Sequence, residues 1–408
     1  MNNAVDLRYA KEIRWLYQTA MLLFLVTIGL GMARGIGLVS FENRNVVLTH
    51  LHSGTIGWIT LGIVATVLWI YGQSAPREPG DVWVTRIAQL LIVAVPLYIA
   101  AWWTGNFPFR AIAGALVLVG IVAFAAWLVG QAARIGYGRL SVPQLGTVVG
   151  LVTLVFGSAL GVYLQIQFAS GSITPDSFNL IGAHAETQVS AYLVLVAMSI
   201  AYWRLVPERP GRARRGTWMV WLFFFGGAII AAALIAGVIQ ASAAYIPLDI
   251  AAFVLFLTLA WRRVLAPGWF VAGSARHYAI AIPFALLYLG IFVYLITGFA
   301  VLQIWKDFNE VPPQLIPATE HPLFVGMVTN TLFGLLIDLN ASRRRIWPWS
   351  DHVLFWGLSL AVAAFTLAIL TASKDLYAFI TPVLGGSILV GIVAHTLRLR
   401  APATGAVR

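Results

Sequence analysis

Residues 46–63 read VVLTHLHSGTIGWITLGI, with two histidines, His50 and His52, at the head of a long apolar run. An imidazole at the edge of such a run must be hydrated, hydrogen-bonded or bound to something. The pair stand two residues apart, about 200° around a helix, so from a regular helix they cannot both face one centre. What they are for depends on the chain around them.

That chain has 408 residues, 60% of them hydrophobic and only 10% charged, with a mean hydropathy of +0.86. So few charges could not cover a soluble surface of this size. Several apolar runs of about 20 residues match the thickness of a bilayer core, so the sequence reads as a polytopic membrane protein. The 16 Trp and 13 Tyr suit many interfacial crossings. The absence of cysteine excludes disulfides, thiolate ligands and iron–sulfur clusters. The first apolar run, from Trp15 to Gly35, is too long for a signal-peptide core and lacks a cleavage site, so it reads as a span.

Apolar runs broken by Pro, Gly and charge predict twelve helices, at 15–35, 47–71, 84–105, 110–133, 143–166, 180–203, 216–239, 247–266, 278–303, 321–341, 351–372 and 377–397. The basic residues then fall almost entirely on one side. Arg8, Lys11 and Arg14 precede the first span; Arg77 and Arg86 follow the second; Arg134 and Arg139 follow the fourth. Arg204, Arg209, Arg212, Arg214 and Arg215 follow the sixth, and Arg262, Arg263 and Arg276 the eighth. Arg343, Arg344 and Arg345 follow the tenth, and Arg398, Arg400 and Arg408 end the chain. Only Arg34, Arg44, Arg110, Lys306 and Lys374 belong to the other side. Under the positive-inside rule both termini are cytoplasmic and the span count is even. The formal net charge of +11 thus sets topology and does not point to nucleic acid. The opposite loops collect acids, namely Glu42, Asp176, Asp307, Glu310, Glu320 and Asp375, and that face is expected to carry the function. Asp249 and Asp338 are expected near the ends of spans 8 and 10. No linker separates soluble domains, so residues 1–408 read as one transmembrane domain.

Histidines return at the outer ends of later spans: His184 in IGAHAETQVSAYLVLV and His321 in TEHPLFVGMVTNTLFG. From His52 to His184 is 132 residues, and from His184 to His321 is 137, four helices each time. That period suggests three four-helix units with a histidine on the second helix of each. A lone interfacial histidine is usually hydrated or bonded to a neighbouring helix. Three at matching positions point instead to a functional cavity, because ionisable groups inside membrane segments are costly and imidazole is a common ligand of metals and heme iron. His52 is the deeper of its pair and is expected to face inward, with His50 meeting water or another helix. Glu186 stands to His184 as His52 does to His50. It reads as a proton-accepting or polar contact, or as a helix-start carboxylate favoured by the local dipole. Glu320 reads as N-terminal capping, with Pro322 in the first turn.

This layout resembles the catalytic subunit of heme-copper oxidases and nitric oxide reductases. HLHSGTIGWITLGI is similar to the span-2 segment of divergent members, and HPLFVGMVTNTLFGLL to the span-10 region of NnrS-type relatives linked to nitric oxide tolerance. The topological likeness covers essentially the whole chain, the motifs about 50 residues. The resemblance implies heme, with His52 and His321 as axial ligands and Lys374 beside the propionates, and it places His184 at a copper-ligand position. The expected His-His pair of span 7 is missing from WMVWLFFFGGAIIAAALIAGVIQ, span 10 has His321 alone, and the Pro-Glu-Val-Tyr motif of span 6 is absent. The copper site is therefore expected to be lacking or degenerate, and standard oxygen reduction to water is not implied. The resemblance implies electron transfer or nitric oxide or oxygen handling in a bacterial or archaeal cell membrane, among lipids, with an electron-donor protein or other respiratory subunits as partners. The residues alone also allow a proton-coupled secondary transporter, or a structural subunit without cofactors.

Overall fold

The computed structural model describes residues 7–73, 78–207, 214–305 and 310–402. Arg77, Arg209, Arg212, Lys306, Asp307 and Arg408, used above for orientation, lie outside them. Among the described residues twelve helices are long and apolar enough to cross a membrane. They are α1 Ala10–Gly35, α2 Arg44–Tyr71, α3 Pro79–Thr104, α4 Phe107–Ile135, α5 Val142–Ser170 and α6 Pro175–Leu205. The second half holds α7 Arg214–Ile235, α8 Ile239–Leu265, α9 Ser274–Val301, α10 Leu315–Leu339, α11 Ser350–Leu370 and α12 Lys374–Arg400. The protein is an all-helical, multi-pass membrane protein.

Burial separates the helices into two classes. In the most apolar stretch of α2, α6 and α10, 83, 78 and 83% of the residues are buried, against 33–56% in the other nine. Those three, the helices that carry His50, His52, His184 and His321, therefore form the centre of the bundle. α2 and α10 meet directly, where the Trp58 indole donates to the Thr329 hydroxyl at 2.9 Å. Phe24 of α1 stacks flat on Trp58 at 4.8 Å, and Phe333 of α10 lies 5.3 Å from it. Glycine permits the close approach: a Cβ on Gly57 would lie 2.8 Å from Leu23, and one on Gly326 would lie 2.5 Å from Phe284.

The arginine-rich end is tied by ion pairs. Arg8 grips Asp81 with two bonds of 2.7 and 2.8 Å, and Arg398 meets Asp351 at 2.5 Å in a fully buried pair. Bonding to Asp81 holds the Arg8 guanidinium above its ordinary pKa, and burial pushes the neighbouring Tyr9 phenol up.

Two of the shifted boundaries change how a residue reads. α10 begins at Leu315, not at 321. Pro317 sits in its first turn, where a missing N–H is harmless, so the stretch that reads as a loop is helical. Glu320 is consequently no cap. α8 begins at Ile239, so Asp249 lies ten residues inside it, fully buried and away from the end.

Candidate functional site: four oriented imidazoles

Just past its histidines each central helix loses regular α geometry. Wider π-helical turns occupy Ser53–Thr60 of α2, Thr187–Val194 of α6 and Pro322–Thr329 of α10. Their starts are 134 and 135 residues apart. Local chemistry supports the widening. Pro322 has no N–H for the α ladder, and the Thr60 and Thr329 hydroxyls donate to carbonyls five residues back, at 3.0 and 2.8 Å. Single π turns inside α-helices concentrate at functional sites.

Counted from these turns, His52, Glu186 and His321 share one offset, and His50, His184 and Thr319 share another. The sequence spacing paired His184 with His52; the backbone aligns it with His50.

The hydrogen bonds divide the histidines in the same way. His50 Nδ1 lies 2.9 Å from the Thr27 carbonyl of α1, and His184 Nδ1 lies 2.7 Å from the Gly157 carbonyl of α5. One turn beyond each carbonyl is a glycine facing the ring: a Cβ on Gly31 would meet His50 Cε1 at 3.2 Å, and one on Gly161 would meet His184 Cε1 at 2.7 Å. His52 and His321 instead reach back along their own helices, to the carbonyls of Leu48 and Pro317, both at 2.7 Å. A carbonyl only accepts, so each Nδ1 carries the proton. In the neutral ring Nε2 then keeps its lone pair, the arrangement typical of metal-binding histidine.

The rings of α2 point apart. His50 turns to α1, with Phe41 at 5.3 Å, while His52 stacks on Trp102 of α3 at 4.2 Å. Each finds a different partner: His50 interacts electrostatically with His321 of α10, and His52 with His184 of α6. Where α6 meets α10 the corresponding interaction is between Glu186 and Glu320, with Ser190 donating to Glu186 at 2.7 Å. All four imidazoles are half-buried. His321 packs on Phe365 of α11 at 4.6 Å, and Tyr377 of α12 continues the aromatic wall at 5.2 Å. Lys374 opens α12, three residues before Tyr377, and is exposed. Among the described residues no three His, Cys, Asp or Glu side chains converge as a metal group. The arrangement therefore offers pairs of imidazoles.

Sequence reasoning missed Arg110, which is buried against Trp102 with its guanidinium 4.3 Å from the ring centre. Its signal was available, since it is one of the few basic residues on the acid-rich side.

Compared with protein-family models the chain matches none, and no curated protein matches it.

Proposed function

We propose that this is a heme-binding integral membrane protein, related in layout to the heme-copper oxidases, that works in electron transfer or in nitric oxide or oxygen handling. The observation that carries this reading is that the four imidazoles of the three central helices, His50, His52, His184 and His321, each donate Nδ1–H to a backbone carbonyl and so offer Nε2 as a ligand.

The heme would be held between α2 and α10. His321 would hold it from α10, and His50 is the favoured span-2 partner, since it interacts electrostatically with His321 while the His52 ring stacks on Trp102 of α3. The residues fit the group: Phe41 and Phe365 supply flat apolar walls, Gly31 leaves the His50 ring room against α1, and Lys374 supplies a cation near the surface. When bound, heme would supply a one-electron redox change or a site for nitric oxide or oxygen. The carbonyl bonds orient the rings, and the Glu186–Glu320 pair holds or accepts a proton beside the bundle centre. Both termini are cytoplasmic, three four-helix units surround the centre, and the site lies toward the outer face of the cell membrane. The equal spacing of the π turns and the one-sided arginines support this layout.

A proton-coupled transporter is the second reading, favoured by Asp249, a carboxylate fully buried inside α8 with no cationic partner among the described residues. Spectra separate the two. The protein purified from heme-replete cells should show a Soret band and a reduced-minus-oxidised difference spectrum, both diminished in His321→Ala and His50→Ala. Protein free of heme and of any metal would reject the heme reading and leave the transporter or an empty scaffold.

A further inference from the structure

We propose that the chain holds a second heme, ligated by His52 of α2 and His184 of α6, separate from the one between His50 and His321. This rests on the heme reading above.

The two sites are built alike. Each pairs one imidazole bonded to a first-helix carbonyl, with a glycine one turn on, and one bonded within its own helix. His184 with Gly157 and Gly161 matches His50 with Thr27 and Gly31. His52, bonded to Leu48 and stacked on Trp102 of α3, matches His321, bonded to Pro317 and packed on Phe365 of α11. His52 and His184 interact electrostatically across the α2–α6 boundary, as His50 and His321 do across α10–α2. Both present neutral Nε2 donors from opposite elements. Two imidazoles with no third His, Cys, Asp or Glu converging among the described residues suit an axially ligated iron porphyrin better than a bare ion.

The surroundings of His52 also ask for a carboxylate. Arg110 is only 2% exposed and interacts electrostatically with His52. Its hydrogen bonds run to the Asn45 side chain at 2.6 Å and to the carbonyls of Ala101 and Trp102 at 3.4 and 3.2 Å. Every one of these partners is neutral, and no described carboxylate bonds it. A buried guanidinium without a counter-charge is costly, and a heme propionate supplies that charge. The Trp102 ring stacks on His52 at 4.2 Å, so the buried guanidinium and the imidazole share one aromatic ring. The third boundary, between α6 and α10, carries Glu186, Thr319 and Glu320 where the others carry histidines, so it takes no heme.

The test is heme per polypeptide in the purified full-length protein, by alkaline pyridine hemochrome against amino-acid analysis, with low-temperature EPR of the oxidised form. Two hemes and two low-spin signals are expected. His184→Ala and His52→Ala should each drop the count to one and remove the same signal. His321→Ala should also leave one heme, but remove the other signal. His184→Met, which keeps a ligand, should retain two hemes with one spectrum altered, showing that the loss in His184→Ala is not misfolding. Arg110→Gln should lower the midpoint potential of the His52 heme alone, because a nearby cation favours the less positive ferrous state. A wild-type count of one, unchanged in His184→Ala and lost in His321→Ala, overturns this proposal and leaves the first heme standing. A count of zero overturns both.

Discussion

The Nδ1 atom of His184 lies 2.7 Å from the Gly157 carbonyl oxygen, and one turn further along α5 Gly161 leaves room for the ring. The bond sets the tautomer and the glycine sets the ring's position, so a side chain at 161 acts directly on the imidazole. A methyl group there would lie 2.7 Å from Cε1, inside contact distance. Gly161→Ala is therefore expected to destabilise the protein by about 1–3 kcal/mol through overpacking and to lower heme content. Gly29→Ala is the control, because nothing lies within 4 Å of that position. It should be neutral or up to about 1 kcal/mol stabilising, as alanine is the better helix former. Thermal melts and heme assays on the two variants check both.

The Trp58–Thr329 bond joins the two central helices between which the first heme is proposed. Thr329→Val keeps the shape and strands a fully buried indole N–H, at a cost of about 1–3 kcal/mol. Trp58→Phe in the same background removes the stranded donor but leaves a smaller ring. A double-mutant cycle of thermal stability should therefore give a coupling of the same order, and additive effects would show that the bond contributes nothing.

Orientation is open to direct labelling, because the chain has no cysteine. Ser172, exposed between α5 and α6, and Gly138, exposed between α4 and α5, lie at opposite ends of α5. With cytoplasmic termini, Ser172→Cys reacts with a membrane-impermeant maleimide on intact cells. Gly138→Cys reacts only after permeabilisation. The reverse pattern inverts the topology.

Tyr9 gives a pH signature. Its hydroxyl donates to Asp81 at 3.1 Å, and burial holds the phenol above its ordinary pKa. A raised folded-state pKa contributes stability that is fully present below the unfolded value of about 10 and is lost as pH rises through the folded value. Tyr9→Phe should thus lose less stability than the wild type between about pH 9 and 12, seen as a flatter dependence of melting temperature on pH. Parallel curves would mean that Tyr9 does not carry the alkaline transition.

Composition and apolar run length were enough to establish a twelve-helix membrane bundle, because a chain with 10% charge can bury its backbone only in helices that satisfy their own hydrogen bonds. The His50–His52 spacing likewise showed that the rings point apart, since that angle follows from helix geometry. Which histidine corresponds to which was decided by tertiary structure. A spacing count cannot see that π turns begin after His52, Glu186 and His321, so it matched His184 to His52 when the backbone matches it to His50. Nor could it see Arg110 buried beside Trp102, or Asp249 moved from a helix end to the interior. Those facts depend on which helix faces which, and only packing around the central three helices sets that.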